Sequence, residues 1–346
     1  MLNLTNLLTF AHAQGASDLH LSTGNVFMRI DGVLTPVALP TPDHQMVSDL
    51  LRSVMSDAQY QTWQNELECD FVIEVTGVAR FRVNAFFQTH GAAAVFRTIA
   101  STVPSLDSLF DDEICQILEH ISHAKSGLVL VTGSTGSGKS TTLAAMVNAI
   151  NRTQAAHILT IEDPIEYLHT SDKSLISQRQ VGKDTHSFSH ALRSALREDP
   201  DVILVGELRD LESIRLALTA AETGHLVLAT LHTINAAKSI DRIIDVFDSH
   251  EKNMIRTMLA DSLTAIIAQR LLPKTGGGRV AALEILQHTP AVANLIRENK
   301  LAQLPSVIQT GQAHGMTSLD QSLLSLVKQG KISKETANLA AKEMVF

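Results

Sequence analysis

Apolar and polar positions alternate with period two through much of the first hundred residues, then give way to apolar runs separated by helix-like stretches. A leading helix at Leu4–Ala13 precedes an alternating strand at Ser17–Leu21. Val26–Ile30 continues as a strand, with Asp31-Gly32 as its hairpin turn. Helical stretches cover about Asp43–Asn65, and three strands follow at Cys69–Val75, Ala79–Gln88 and Ala92–Ile99. This pattern predicts a small α+β unit over residues 1–98. The short polar segment Ser101–Ser105, containing Pro104, predicts a linker within 99–108. From Leu109 onward helices alternate with apolar strands at Leu128–Thr132, His157–Ile161, Val202–Val205 and Leu226–Thr230. That is the pattern of a mainly parallel sheet covered on both faces, so the fold class is α/β with a second domain over 109–346. The last ~80 residues are expected to be mostly helical, with Thr275–Gly278 as a loop.

Composition narrows this only a little. A chain of 346 residues favours two domains, and 45% apolar with 18% charged residues is ordinary globular composition. A net charge of −8 argues against a dedicated nucleic-acid binder, although a ring can hide a basic channel inside an acidic shell. Cys69 and Cys115 stand far apart in no metal-binding pattern, so no zinc is expected and a reducing cytoplasm fits. The N-terminus lacks the basic region and cleavage site of a signal peptide, and no apolar run approaches ~20 residues. Any membrane association is therefore expected to be peripheral, without a transmembrane segment.

The strongest chemical signal follows the strand that ends at Thr132. Gly133-Ser134-Thr135-Gly136-Ser137-Gly138-Lys139-Ser140-Thr141 matches G-x-x-x-x-G-K-[ST] and runs into a helix-forming stretch. Backbone N–H groups of such a loop curl around phosphate oxygens at the positive end of the new helix. Lys139 supplies a charge for the terminal phosphates, and the Ser140 hydroxyl is placed to ligand Mg²⁺. The pattern predicts ATP, or another nucleoside triphosphate, bound with Mg²⁺.

Hydrolysis needs a carboxylate near that loop. Glu207 directly follows the strand Val202–Val205 and Gly206, where a parallel strand delivers its next side chain beside the phosphates. Gly206 occupies the usual Walker B aspartate position, so Mg²⁺ must rely on Ser140, phosphate oxygens and water, with acidic groups acting through water. A second acidic cluster, Glu162-Asp163-Pro164-Ile165-Glu166, either approaches the same water network or simply forms a turn. His225 and His232 bracket one strand and lie too far apart for one metal site; each is either structural or, for His232, on the phosphate side. His120 and His123 read as a solvated helix face. Arg80, Arg82 and Arg97 fall on adjacent strands of the first unit. They form either a clamp for a neighbour's γ-phosphate or cross-strand ion pairs with Glu68, Asp70 or Glu74. Arg193 and Arg197 read as an i, i+4 pair on the helix before Asp199-Pro200.

Taken together, Ala16–Leu21, Arg80–Asn84, the phosphate loop, Thr160–Glu166, Ala195–Asp201, Gly206–Asp210 and Gly224–Thr233 resemble the secretion ATPases of type II secretion and type IV pili. The resemblance spans essentially the whole chain. It implies a PAS-like N-terminal domain, a RecA-like C-terminal ATPase domain and a ring-shaped homo-hexamer with nucleotide held between domains. By the same resemblance Glu207 is the catalytic base, Glu166 the Asp-box carboxylate and His232 the phosphate-side His-box residue. Arg82 and Arg97 correspond to the family's N-domain arginines. The absence of an extra N-terminal domain and of a four-cysteine zinc element points to the pilus-retraction branch rather than to pilus assembly or type II secretion. The implied setting is the cytoplasmic face of the inner membrane, with a PilC-like platform protein as partner and a PilU-like paralogous retraction ATPase beside it. ATP hydrolysis would be coupled to domain motion about the linker. Two departures stand out: Ser134 where proline is common, and Ala293 where the retraction motif A-I-R-N-L-I-R-E has its first arginine. A RecA-like nucleic-acid translocase and a non-hydrolysing motor subunit are the competing readings; net acidity and 4% aromatic residues oppose the first, and intact Lys139, Ser140 and Glu207 the second.

Overall fold

The computed structural model describes residues 3–30, 32–38, 40–99 and 102–341. The chain separates into two compact units, Met1–Thr102 and Val103–Phe346. Of the expected hairpin turn and linker, Asp31, Ala100 and Ser101 lie outside the described residues.

In the first unit the alternating segments form six strands: β1 (Asp18–Ser22), β2 (Asn25–Ile30), β3 (Val33–Pro36), β4 (Glu68–Val75), β5 (Ala79–Gln88) and β6 (Gly91–Ile99). They pair antiparallel in the order β3-β2-β1-β6-β5-β4. Period two sends Leu19, Leu21, Phe81, Val83 and Phe96 to one face. There they form a core with Leu8 of the helix Leu4–Ala13, Leu51 of His44–Arg52 and Trp63 of Asp57–Glu66. Residues directly opposite in an antiparallel pair share a face, so the register lines up Arg29, Asp18, Arg97 and Arg82 across β2, β1, β6 and β5 on the other side.

The second unit holds β7 (Gly127–Thr132), β8 (His157–Glu162), β9 (Leu175–Gln180), β10 (Val202–Val205), β11 (Leu226–Leu231), β12 (Leu263–Pro273) and β13 (Arg279–Gln287). Their order is β13-β12-β7-β11-β10-β8-β9, parallel throughout except for β13. Alternate residues of each central strand enter two different cores: Leu128, Leu130, Ile203 and Val205 face one, Val129, Val131, Val202 and Leu204 the other. Helices cover both faces, and the C-terminal ends of β7, β8, β10 and β11 share one edge of the sheet.

The expectation that the last ~80 residues are mostly helical is corrected at its start. Residues 263–287 form the antiparallel pair β12–β13, and the glycine-rich loop is the turn between them, with Gly276, Gly277 and Gly278 all at positive φ. Ala265–Ala268 is buried on both faces, so it lacks the period-two signal and its alanines mimic a helix. Helices resume at Pro290. Strand β9 was also not foreseen; it is a partly exposed edge strand of sequence LISQRQ, with no apolar run to mark it.

Candidate active site

The phosphate loop forms where β7 ends and the helix Lys139–Thr153 begins. Its glycines answer to close contacts. A Cβ on Gly133, at φ +148°, would sit 2.4 Å from the Gln269 carbonyl oxygen; one on Gly138, at φ +88°, would sit 2.8 Å from Gln269 Nε2. Lys139, 9% exposed, donates to the carbonyls of Gly133 at 2.9 Å and Ser134 at 3.0 Å. Burial pushes its pKa down, and the Glu207 and Glu166 carboxylates pull it back up, which places all three within electrostatic reach. Ser140 is half-buried in the first helical turn, and Thr141 Oγ1 lies 3.1 Å from the Tyr167 hydroxyl. Ser134, Thr135 and Gly136 are exposed at the tip.

Glu207 lies two residues beyond the end of β10. The intervening Gly206 donates to the Ile161 carbonyl at 2.8 Å, and a Cβ there would meet that carbonyl oxygen at 3.2 Å and Glu162 Cα at 3.3 Å. The β8 backbone thus crowds any side chain in the Walker B metal position. The Glu207 side chain is 20% exposed; Oε2 accepts from Arg209 Nε at 2.7 Å, and Oε1 lies 3.3 Å from His232 Nε2. His232 follows β11, the strand beside β10, so register alone brings the two together. His225, at the opposite strand end, places Nδ1 3.0 Å from the Ala220 carbonyl.

The acidic cluster divides into two roles. Glu162 closes β8, and its carboxyl accepts from Thr160 Oγ1 at 2.8 Å and Gln178 Nε2 at 3.3 Å. Burial raises its pKa, the hydrogen bonds from Thr160, Gln178 and the Glu166 backbone oppose the rise, and the Glu166 charge adds to it. Glu166 is half-buried, and its charge is felt at Lys139. A hydroxyl on Ser140 and a carboxylate on Glu166 are hard oxygen donors of the kind Mg²⁺ takes, directly or through water, so the residues present fit that ion.

Lys139, Glu166, Glu207 and His232 therefore come together in the second unit, while Arg82 and Arg97 lie together in the first. These two arginines are directly opposite across β5 and β6. Arg97 pairs with none of Glu68, Asp70 and Glu74: its Nε donates to Asp18 Oδ1 at 2.8 Å, and Ser17 Oγ donates to Oδ2 at 2.8 Å. Among the described residues Arg82 makes no ion pair. Arg193 and Arg197 do not form a helical pair, because the helix Phe188–Ala195 ends before Arg197; Arg193 pairs with Glu212, and Arg197 donates to the Arg193 carbonyl. His123 binds the Glu119 carbonyl at 2.6 Å through Nδ1.

Three residues in contact with these candidates were missed. Asp18 lies within Ala16–Leu21 and Arg209 within Gly206–Asp210, with no local sign of their partners, and Gln269 carried no local signal at all. Gln269 reaches from β12 to donate to the Ser137 carbonyl at 2.6 Å while accepting from Thr142 Oγ1 at 2.8 Å.

Comparison with known proteins finds relatives that match nearly the whole chain. The type II/IV secretion system protein family matches residues 2–277. The chain is 57% identical over 342 residues to a Pseudomonas aeruginosa protein named type IV pilus retraction ATPase PilT, covering 99% of this chain and 98% of that one. It is 60% identical over 316 residues to a Neisseria gonorrhoeae twitching motility protein, covering 91% and 83%. A crystal structure of the pilus retraction motor PilT with bound ADP superposes with a TM-score of 0.90 at 46% identity, covering 99% of this chain and 98% of that one.

Proposed function

This chain belongs to the type II/IV secretion system protein family, and we propose on that premise that it is the ATPase that powers type IV pilus retraction. The observation that carries the reading is 57% identity over nearly the full length of a protein named as a retraction ATPase, together with Lys139, Glu207 and His232 gathered at one sheet edge.

ATP binds with its phosphates in the loop Gly133–Thr141, where N–H groups of the first helical turn lack carbonyl partners and face negative charge. Lys139 exchanges the Gly133 and Ser134 carbonyls for phosphate oxygens. Glu207 orients the attacking water and accepts its proton, with His232 and Arg209 fixing the carboxylate. Mg²⁺, held by Ser140 and through water by Glu166, neutralises phosphate charge when bound. Arg82 and Arg97 stabilise the transferring γ-phosphate from a first domain of the ring. The working form is a homo-hexamer at the cytoplasmic face of the inner membrane. It turns a PilC-like platform protein as the domains 1–98 and 109–346 move about the 99–108 linker. Among the described residues no helix is long and apolar enough to cross a membrane.

Ala293 bears on the coupling step. It is 3% exposed on the helix Pro290–Arg297 and packs in the core with Val292 and Ile296, whereas Arg297 on the same helix pairs with Asp261. Position 293 is thus a core position in this chain, and the Arg297 ion pair forms without a guanidinium there.

The test is complementation of a strain deleted for the gene. The deletion is expected to leave cells piliated but unable to twitch, with wild-type protein restoring motility. Glu207→Gln is expected to fail, with turnover down about 10²–10⁴-fold while nucleotide still binds. Loss of pili on deletion would favour an assembly ATPase, and normal turnover by the variant would remove Glu207 from its role.

A further inference from the structure

From the contacts of β12 with the phosphate loop, we infer that Gln269 is a positioning residue of the nucleotide site. Resting on the ATPase reading above, this assigns to Gln269 the orientation of one phosphate-loop peptide plane. Gln269 is 4% exposed and uses both ends of its amide: Nε2 donates to the Ser137 carbonyl at 2.6 Å, and Oε1 accepts from Thr142 Oγ1 at 2.8 Å. Thr142 is 1% exposed, so neither hydroxyl nor amide has water as a substitute partner.

The consequence follows from peptide geometry. A trans peptide holds its C=O and the next N–H in one plane, pointing in opposite directions across the C–N bond. Fixing the Ser137 carbonyl toward Gln269 therefore turns the Gly138 N–H away from β12. The loop uses N–H groups of this kind to hold phosphate oxygens. Thr142 fixes the amide in turn: because its hydroxyl donates to Oε1, Nε2 is the end left facing the Ser137 carbonyl. Gly133 and Gly138 are the two motif positions at which a side chain would collide with Gln269. The loop is thus closed around this residue at both ends. β12 pairs directly with β7 through Ala268↔Thr132, so the amide is carried by the same sheet that launches the loop.

Binding of mant-ADP with Mg²⁺ to the purified full chain tests this. Gln269→Glu keeps the shape but sets a second acceptor against the Ser137 carbonyl. Its Kd is expected to rise about 10- to 100-fold, the effect of leaving one buried polar group unpaired. The KM for ATP should rise by the same factor, with kcat at saturating ATP within about threefold of wild type. Thr142→Val should weaken binding and Thr142→Ser should restore it, a rescue that packing alone would not produce; this pair carries the test if Gln269→Glu does not fold. The inference is overturned if folded Gln269→Glu binds like wild type, if kcat falls with KM unchanged, or if Thr142→Val and Thr142→Ser behave alike. Failure of the wild-type chain to bind mant-ADP would instead remove the ATPase reading itself.

Discussion

Replacing Arg97 with alanine strands a buried carboxylate. Asp18 is 5% exposed, and its oxygens are occupied by Arg97 Nε and Ser17 Oγ, each at 2.8 Å. Breaking a fully buried ion pair from one side costs about 3–5 kcal/mol. The Arg97 side chain is 65% exposed, so water enters the space it leaves, and the loss falls to about 1.5–3 kcal/mol, the range of a single charge-assisted hydrogen bond. Arg82 stands directly opposite but has no ion pair among the described residues, so Arg82→Ala should change stability by no more than about 0.5 kcal/mol.

The protein carries its own probe for this measurement. Trp63 is the one tryptophan of the chain; it is fully buried in the first unit and stacks on Phe87 with ring centroids 4.6 Å apart. Its fluorescence during urea unfolding reports the first unit alone. Arg97→Ala should lower the unfolding free energy by about 1.5–3 kcal/mol. Adding Asp18→Asn to it should cost less than the two single changes summed, by about 1 kcal/mol or more, since the neutral amide tolerates the missing guanidinium. Strict additivity, or an Arg97→Ala curve that overlays wild type, would refute the coupling. If both arginines also contact phosphate, both alanine variants lose turnover while only Arg97→Ala loses stability. The comparison thereby separates catalytic from structural loss.

Two further outcomes are expected. His169 is half-buried, and desolvation lowers its pKa to about 4, so it stays neutral in the fold while an unfolded chain takes up the proton near its ordinary value of 6.5. Stability is then intact above about pH 7 and falls as pH drops through 6.5 toward 4, by about 2 kcal/mol between pH 7.5 and pH 5; urea unfolding followed by circular dichroism should show the slope, and His169→Gln should flatten it. Gly206→Ala should destabilise the second unit by about 1–3 kcal/mol, because the added methyl meets the β8 backbone rather than a movable side chain; an unchanged Tm would show that β8 yields freely.

What could be read before folding was whatever the chain encodes locally. The phosphate loop sits between an apolar run and a helix within a dozen residues, and its chemistry is spelled out in sequence order. Glu207 and His232 were also legible, because each follows a recognisable parallel strand and strand ends converge at one edge. The choice between Glu162 and Glu166 was not legible from the residues, since it depends on which carboxyl Thr160 and Gln178 desolvate and bind. The same limit hid the partner of Arg97. Asp18 lies 79 residues away and meets it only because the first strand of the unit pairs with the sixth.

Gln269 marks the furthest point of that limit, and its concealment has the same cause as the error in the C-terminal region. Strand β12 is apolar on both faces, so nothing in its periodicity distinguishes a strand from a buried helix. Read as a helix, the segment cannot be paired with β7, and without that pairing a lone glutamine among alanines and leucines has no claim to the phosphate loop. Read as a strand in register with β7, Ala268 falls beside Thr132 and Gln269 falls beside the loop that follows. One misassigned period therefore removed both the edge of the sheet and a residue that shapes the site. Correcting the period restores the two together, which is why the loop's glycines make sense only once β12 is in place.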